Sequence, residues 1–206
     1  MRLNKLTGAI LAGAVALTGG FEGYSHYAYQ DPIGVWTACF GETAGIKPGD
    51  IFTRKQCEAM LTSSLDKHNA PITKIPQKLP PRVHLAFLDM AYNIGTGAFS
   101  QSTMYRYLLN ADYTNACDQI PRWRFAGGRD CAIKSNNCYG IVNRRAIVHQ
   151  LCHGNIDINE ALATIGQMPL DKEILEQLDD EHELEVRVNN HCFSGYYGYL
   201  SAIATF

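Results

Sequence analysis

At 206 residues the chain is long enough for one good-sized hydrophobic core, and its 18 Lys and Arg against 20 Asp and Glu give a formal net charge of −2. That balance hides an asymmetry: 16 basic against 10 acidic residues up to Gly154, a net +6, and 2 against 10 from Asn155 onward, a net −8. A basic body suits a polyanion such as nucleic acid, anionic lipid or bacterial cell wall, but zinc-finger spacing and the Gly-aromatic RNA-binding signature are both missing, which argues against nucleic acid.

Arg2 and Lys5 precede Leu6 to Phe21, LTGAILAGAVALTGGF, which carries no charge. A basic start followed by an apolar run is the pattern of an export signal. The run is rich in Ala and Gly and shorter than the roughly 20 residues of a comfortable membrane span. Ala14-Val-Ala16 resembles a cleavage site, yet cutting there leaves five residues before Glu22, too few for a helix to present that carboxylate. A retained segment that spans a membrane transiently and later becomes the first helix explains the same composition. An ordinary buried Ala/Leu helix is the plain alternative.

Next comes FEGYSHYAYQDPIGVWTACFG, Phe21 to Gly41. Glu22 is followed after eight residues by Asp31 and after five more by Thr37. Pro32-Ile33-Gly34 is a turn signal and Val35 to Phe40 favours a strand, so the layout predicts an acid at a helix end, an acid at a hairpin turn and a hydroxyl on the following strand. Thr53-Arg-Lys-Gln56 has the capping-box form and predicts a helix from Arg54 to about His68. Pro81 suits a first helical turn, and Val83, Ala86, Phe87, Met90, Ala91 and Ile94 recur at helical spacing until Gly95 stops the helix. Further helices are predicted from Thr103 to Asn110 with Ser102 as cap, from Asn115 to about Ile120, and from Arg144 to about Cys152 with Asn143 as cap and Gly154 as stop. Beyond Asn155, Leu170 to Glu185 reads as an acidic helix, and the end, CFSGYYGYLSAIATF, is uncharged and aromatic. The plain reading of that end is an appendage packed on the body; a sharper one is that the acidic tail folds over the basic body and moderates wall binding.

Seven cysteines, at 39, 57, 117, 131, 138, 152 and 192, suit an oxidising compartment. Cys131 and Cys138 look like the two ends of a local loop staple. His149, Cys152 and His153 in HQLCH offer a His pair at i and i+4, but a matching second pair is missing, so the plain reading is one half-cystine beside two histidines near a helix end.

Hydrolysing a glycosidic bond needs one acid to protonate the leaving oxygen and a second carboxylate to activate water or to attack. Glu22, beside Phe21 in partly apolar surroundings, is expected to keep its proton and act as the acid. Asp31, at a polar turn, is expected to stay ionised, and Thr37 to hold the attacking water. Taken singly these are an ordinary surface Glu, a turn Asp before Pro and a strand Thr. Their order and spacing carry the signal.

That stretch resembles the phage-type lysozymes of glycoside hydrolase family 24, whose frame is EGx…AYxDxxGxxTxGxG; here it reads Glu22-Gly23, Ala28-Tyr29-Gln30-Asp31, Gly34, Thr37 and Gly41. The likeness continues through PGDIFTRKQCEAML, DMAYNIGTGAFSQST, RWRFAGGR and NRRAIVHQLC, roughly residues 6 to 154, and is nearest to endolysins of lambdoid-type phages and prophages. It implies a two-lobed, mainly helical α+β fold with a small β-hairpin near the front. The activity it implies is that of a monomeric muramidase cutting the β-1,4 bond between N-acetylmuramic acid and N-acetylglucosamine of peptidoglycan, without metal or cofactor. By motif position Glu22 is the proton donor, Asp31 the base and Thr37 the water-positioning hydroxyl, with Tyr92 and Asn93 lining the substrate cleft. An acid pair about 6.5 to 9.5 Å apart fits inversion, and about 5 Å fits retention. The amino-terminal segment resembles signal-anchor-release helices, which tether an exported enzyme to the inner membrane, inactive, until depolarisation sends it into the periplasm.

Two departures stand out. Glu42 occupies a position where the family usually has His, so any ion pair made by that His is absent or rebuilt. With Cys39 the first cysteine, no thiol carried on the anchor can act as a switch. The chain therefore divides into 1–21, anchor or first helix; 22–154, muramidase; and 155–206, an extension of unassigned role. A cysteine-dependent wall amidase or peptidase and a non-catalytic wall-binding module are the competing readings.

Overall fold

A computed structural model describes residues 3–31 and 34–179. Helix α1, Gly8–Glu22, begins where the Thr7 hydroxyl accepts the Ile10 amide and ends at Gly23, whose φ of 75° stops the helix. Ahead of it Asn4 is buried. Its amide nitrogen donates to the carbonyls of Ile72, Ile75 and Gln77, and its Oδ1 accepts the Leu79 amide.

In the fold the apolar α1 lies inside. Ile10, Ala14 and Leu17 belong to the core, and the glycines bring neighbours close. A Cβ built at Gly13 would stand 3.1 Å from Leu85, one at Gly19 3.1 Å from Leu61, and one at Gly20 2.6 Å from Gln167 and 2.8 Å from Ile165. Among the described residues no helix is long and apolar enough to cross a membrane.

Strands β1, Ser25–Gln30, and β2, Trp36–Cys39, form the expected antiparallel hairpin, with Tyr29 opposite Thr37 and an irregularity between Ser25 and Tyr29. Helix α2, Arg54–Asn69, starts at the predicted capping box, in which Thr53 and Gln56 exchange side-chain and backbone bonds. The Cys39–Cys57 disulfide fastens the hairpin to this helix. Helix α3, Pro81–Ile94, is the hub: it packs on both α1 and α2, and Val83, Ala86, Phe87, Leu88, Met90 and Ala91 are wholly buried. Each large apolar side chain so buried contributes about 1.5–3 kcal/mol.

Short helices follow: α4, Thr96–Gln101; α5, Thr103–Leu109, capped by Ser102 as expected; and α6, Tyr113–Cys117. The sequence predicts a start at Asn115, but Asp112 accepts the Asn115 amide and starts the helix earlier. Two-residue strands β3, Phe125–Ala126, and β4, Arg129–Asp130, lead into the Cys131–Cys138 staple, which forms as predicted. Helix α7, Gly140–His153, ends at Gly154 but starts ahead of the expected Asn143 cap. The Asn143 amide donates to the Tyr139 carbonyl, so that residue is already inside the helix. Helix α8, Ile158–Thr164, packs on α1 and α7 and buries Ile158, Ala161 and Leu162, so the common core continues past Gly154. Of the acidic helix expected from Leu170 to Glu185, residues 172–179 are helical. Its remainder, the aromatic end and Cys192 lie outside the described residues.

Candidate active site

Glu22 is the last residue of α1, and one of its carboxylate oxygens accepts from Arg144 Nη1 at 2.7 Å. The same guanidinium donates through Nε and Nη2 to both oxygens of Asp89, at 3.0 and 2.8 Å, and the Thr18 hydroxyl donates to Asp89 Oδ1 at 3.1 Å. Asp89 is fully buried, so its charge has to be matched inside the protein, and the bidentate Arg144 fork does so. Its two acid partners outweigh the cost of burial and hold the Arg144 guanidinium above its ordinary pKa. The expected apolar setting of Glu22 is thus corrected. The Phe21 ring lies 4.7 Å from the Arg144 guanidinium carbon, and the neighbour of Glu22 is a cation.

The hairpin supplies the other two predicted groups. Asp31 Oδ1 accepts the Val35 amide at 2.8 Å, and the Thr37 hydroxyl donates to the Val35 carbonyl at 3.1 Å. One residue's backbone therefore holds both side chains, and Thr37 keeps its oxygen lone pairs for another donor. The hairpin also leads to Gly41, where an added Cβ would sit 3.5 Å from Glu22 Oε2. With φ at 86°, Gly41 turns the chain beneath the Glu22 carboxylate without a side chain in the way.

Tyr92 and Asn93, near the end of α3, border the same region. The Tyr92 hydroxyl donates to the Phe40 carbonyl at 3.3 Å, and its ring packs 4.9 Å from that of His68. Burial, with the Glu42 and Glu22 charges nearby, pushes the Tyr92 phenol well above its usual pKa. Asn93 is exposed, and its Oδ1 accepts from Arg145, which also donates to the Trp123 carbonyl at 2.8 Å. Desolvation lowers the Arg145 pKa to about 10. Burial raises the Glu42 carboxyl above its usual range, against the opposing influence of Ser64, Lys67 and His68 on α2. Glu42 Oε1 is buried without a hydrogen-bond partner among the described residues.

A family model described as phage lysozyme matches residues 19–147, more than half of the chain. The chain belongs to the phage lysozyme family. It is 35% identical over 152 residues to the SAR-endolysin of Enterobacteria phage P21, covering 70% of this chain and 88% of that one. To the SAR-endolysin of Escherichia phage 933W it is 38% identical over 131 residues, covering 60% and 73%. A solved endolysin from Escherichia coli O157:H7 phage FAHEc1 has the same fold, with a TM-score of 0.61 at 23% identity over 76% of this chain and 96% of that one. This phage lysozyme is therefore an α+β glycoside hydrolase of the endolysin type, and peptidoglycan is its substrate.

Among the described residues all six cysteines are paired, Cys39–Cys57, Cys117–Cys152 and Cys131–Cys138, which leaves no thiolate there for the rival amidase chemistry. The sequence reading missed Arg144, Asp89 and Thr18. A signal was present in LAFLDMAYNI, where Asp89 is the one charge in a ten-residue run that is otherwise apolar or neutral, and an acid in such a place requires a buried cation.

Proposed function

We propose that Glu22 protonates the glycosidic oxygen of the β-1,4 bond between N-acetylmuramic acid and N-acetylglucosamine, while Asp31 removes a proton from the attacking water. Thr37 accepts a hydrogen bond from that water and aims it at the anomeric carbon, and Tyr92 and Asn93 line the cleft that binds the glycan. The observation that carries this reading is the convergence of the α1 terminus and the hairpin: Gly41 passes under the Glu22 carboxylate, and Val35 binds both Asp31 and Thr37. The reaction inverts the anomeric centre, with protonation and water activation divided between two carboxylates. Glu22→Gln tests the acid. Clearing of permeabilised Gram-negative cells should fall by roughly 100-fold or more, the range expected for a lost general acid, while thermal stability and wall binding persist. Clearing at the parental rate would reject the assignment, and muramic acid at the new reducing ends of the parental digest identifies the bond cut.

We infer further that the enzyme is exported, held at the inner membrane by residues 1–21 and released into the periplasm as a monomer. The basic start, the uncharged run Leu6 to Phe21 and the SAR-endolysin relatives support this. The three disulfides suit that compartment. While α1 lies in lipid, Glu22 is away from Arg144, so the tethered form lacks an assembled site. Fractionation before and after membrane depolarisation should move the protein from membrane to periplasm; recovery only from the cytosol would overturn the tether.

A further inference from the structure

We propose that Asp118, His149 and His153 form a site for a divalent transition metal, filled by Zn2+, on the surface away from the cleft. His149 and His153 stand four residues apart on one face of α7 with their rings 4.6 Å apart, and Asp118 directly follows α6. Both imidazole Nε2 atoms approach the same oxygen, Asp118 Oδ1, at 3.0 Å from His153 and 3.6 Å from His149. The three prospective ligand atoms lie within 4.8 Å of one another. Zinc bonds of about 2.0–2.2 Å in a tetrahedral array put ligand atoms about 3.3 Å apart, so small side-chain rotations close the set and leave a fourth position for water.

Two features prepare the cluster. The Cys117–Cys152 disulfide joins the residue before Asp118 to the residue before His153, so the carboxylate and the helix are covalently fixed next to each other. Cys152 is thereby removed from the ligand set that HQLCH suggests, and Asp118, distant in sequence, takes its place. His153 is also the last residue of α7, where the partial negative charge of the helix end favours a cation. Two imidazoles sharing one carboxylate oxygen are a crowded arrangement without metal. With Zn2+ each lone pair gains its own bond, and the ion ties the Asp118 segment to α7.

The site stands apart from the reaction, because Glu22 is held by Arg144, two helical turns and more along α7 from His153. The test uses the tag-free full chain, stripped with EDTA and titrated with ZnCl2 by calorimetry. One equivalent should bind with micromolar affinity or better. His153→Ala and His149→Ala should each weaken binding at least tenfold, Asp118→Asn should weaken it less, and all three should keep the parental clearing rate without metal. Titration with Co2+ should give a visible absorption band that His153→Ala abolishes. A parent that takes up no saturable equivalent, or a His153→Ala variant with the parental isotherm, overturns the site.

Discussion

Arg144 Nη1 lies 2.7 Å from Glu22 Oε1, and the other edge of the same guanidinium grips buried Asp89. One side chain thus links the proposed catalytic acid to the centre of α3. Arg144→Met should remove the positioning of Glu22 and strand a charge in the core, a type of change that costs about 3–5 kcal/mol. Thermal or urea unfolding should register that loss together with a large fall in clearing rate. The double variant Arg144→Met with Asp89→Asn should regain much of the stability and little of the activity, which separates the two roles. A double variant as active as the parent would deny Arg144 any positioning of the acid.

Val35 gives a backbone test of the hairpin half. Its amide donates to Asp31 Oδ1, and the residue is 39% exposed. Val35→Pro deletes that donor, so kcat should fall about tenfold or more as Asp31 loses its orientation, whereas Val35→Ala should change the rate little. Equal rates for the two variants would remove the amide from the account.

His84 makes stability depend on pH. Buried, with its Nε2 2.8 Å from Asn69 Oδ1, it has its pKa lowered from 6.5 to about 4. Between those values the unfolded chain binds the proton and the folded chain does not. This contribution is therefore intact above pH 6.5 and is lost progressively down to about pH 4, by roughly 3 kcal/mol at most. Glu42 acts in the opposite sense, since its raised pKa makes its contribution diminish as pH rises. Unfolding midpoints from pH 7.5 down to 4.5 should fall in the parent, and His84→Gln should flatten the slope even if the variant is less stable at neutral pH.

The glycines of α1 are a test of how that helix seats. At Gly20 even a methyl group meets Gln167 at 2.6 Å and Ile165 at 2.8 Å. Gly20→Leu should destabilise the soluble enzyme by about 1–3 kcal/mol through overpacking, while making the segment more apolar. The expected result is a larger membrane-bound fraction and slower clearing after depolarisation. Unchanged partitioning would mean that close packing at Gly20 does not oppose the tether.

Local rules were readable where neighbours in sequence decide them. The Thr53–Gln56 capping box, the Ser102 cap, the Gly95 and Gly154 stops and the Cys131–Cys138 staple all concern residues within a few positions of each other. The same rules misplaced two starts: Asp112 caps α6 ahead of Asn115, and α7 begins at Gly140 without a side-chain cap. The order Glu22, Asp31, Thr37 marked the candidate site, but Arg144 lies 122 positions from Glu22 and nothing in the spacing links them. Glu22 was read from its sequence neighbour Phe21, whereas its chemical surroundings come from a helix at the far end of the domain.

Thr18 and Glu22 sit one turn apart on α1, and both engage the Asp89–Arg144 pair. The helix therefore has a register as well as a presence: sliding it by a single residue would rotate both side chains off their partners by about 100°. Anyone shortening, fusing or replacing this helix to make a ready-to-use antibacterial must preserve its phase relative to Asp89, because a substitute of the right length and greasiness but the wrong rotation would leave the acid misaimed.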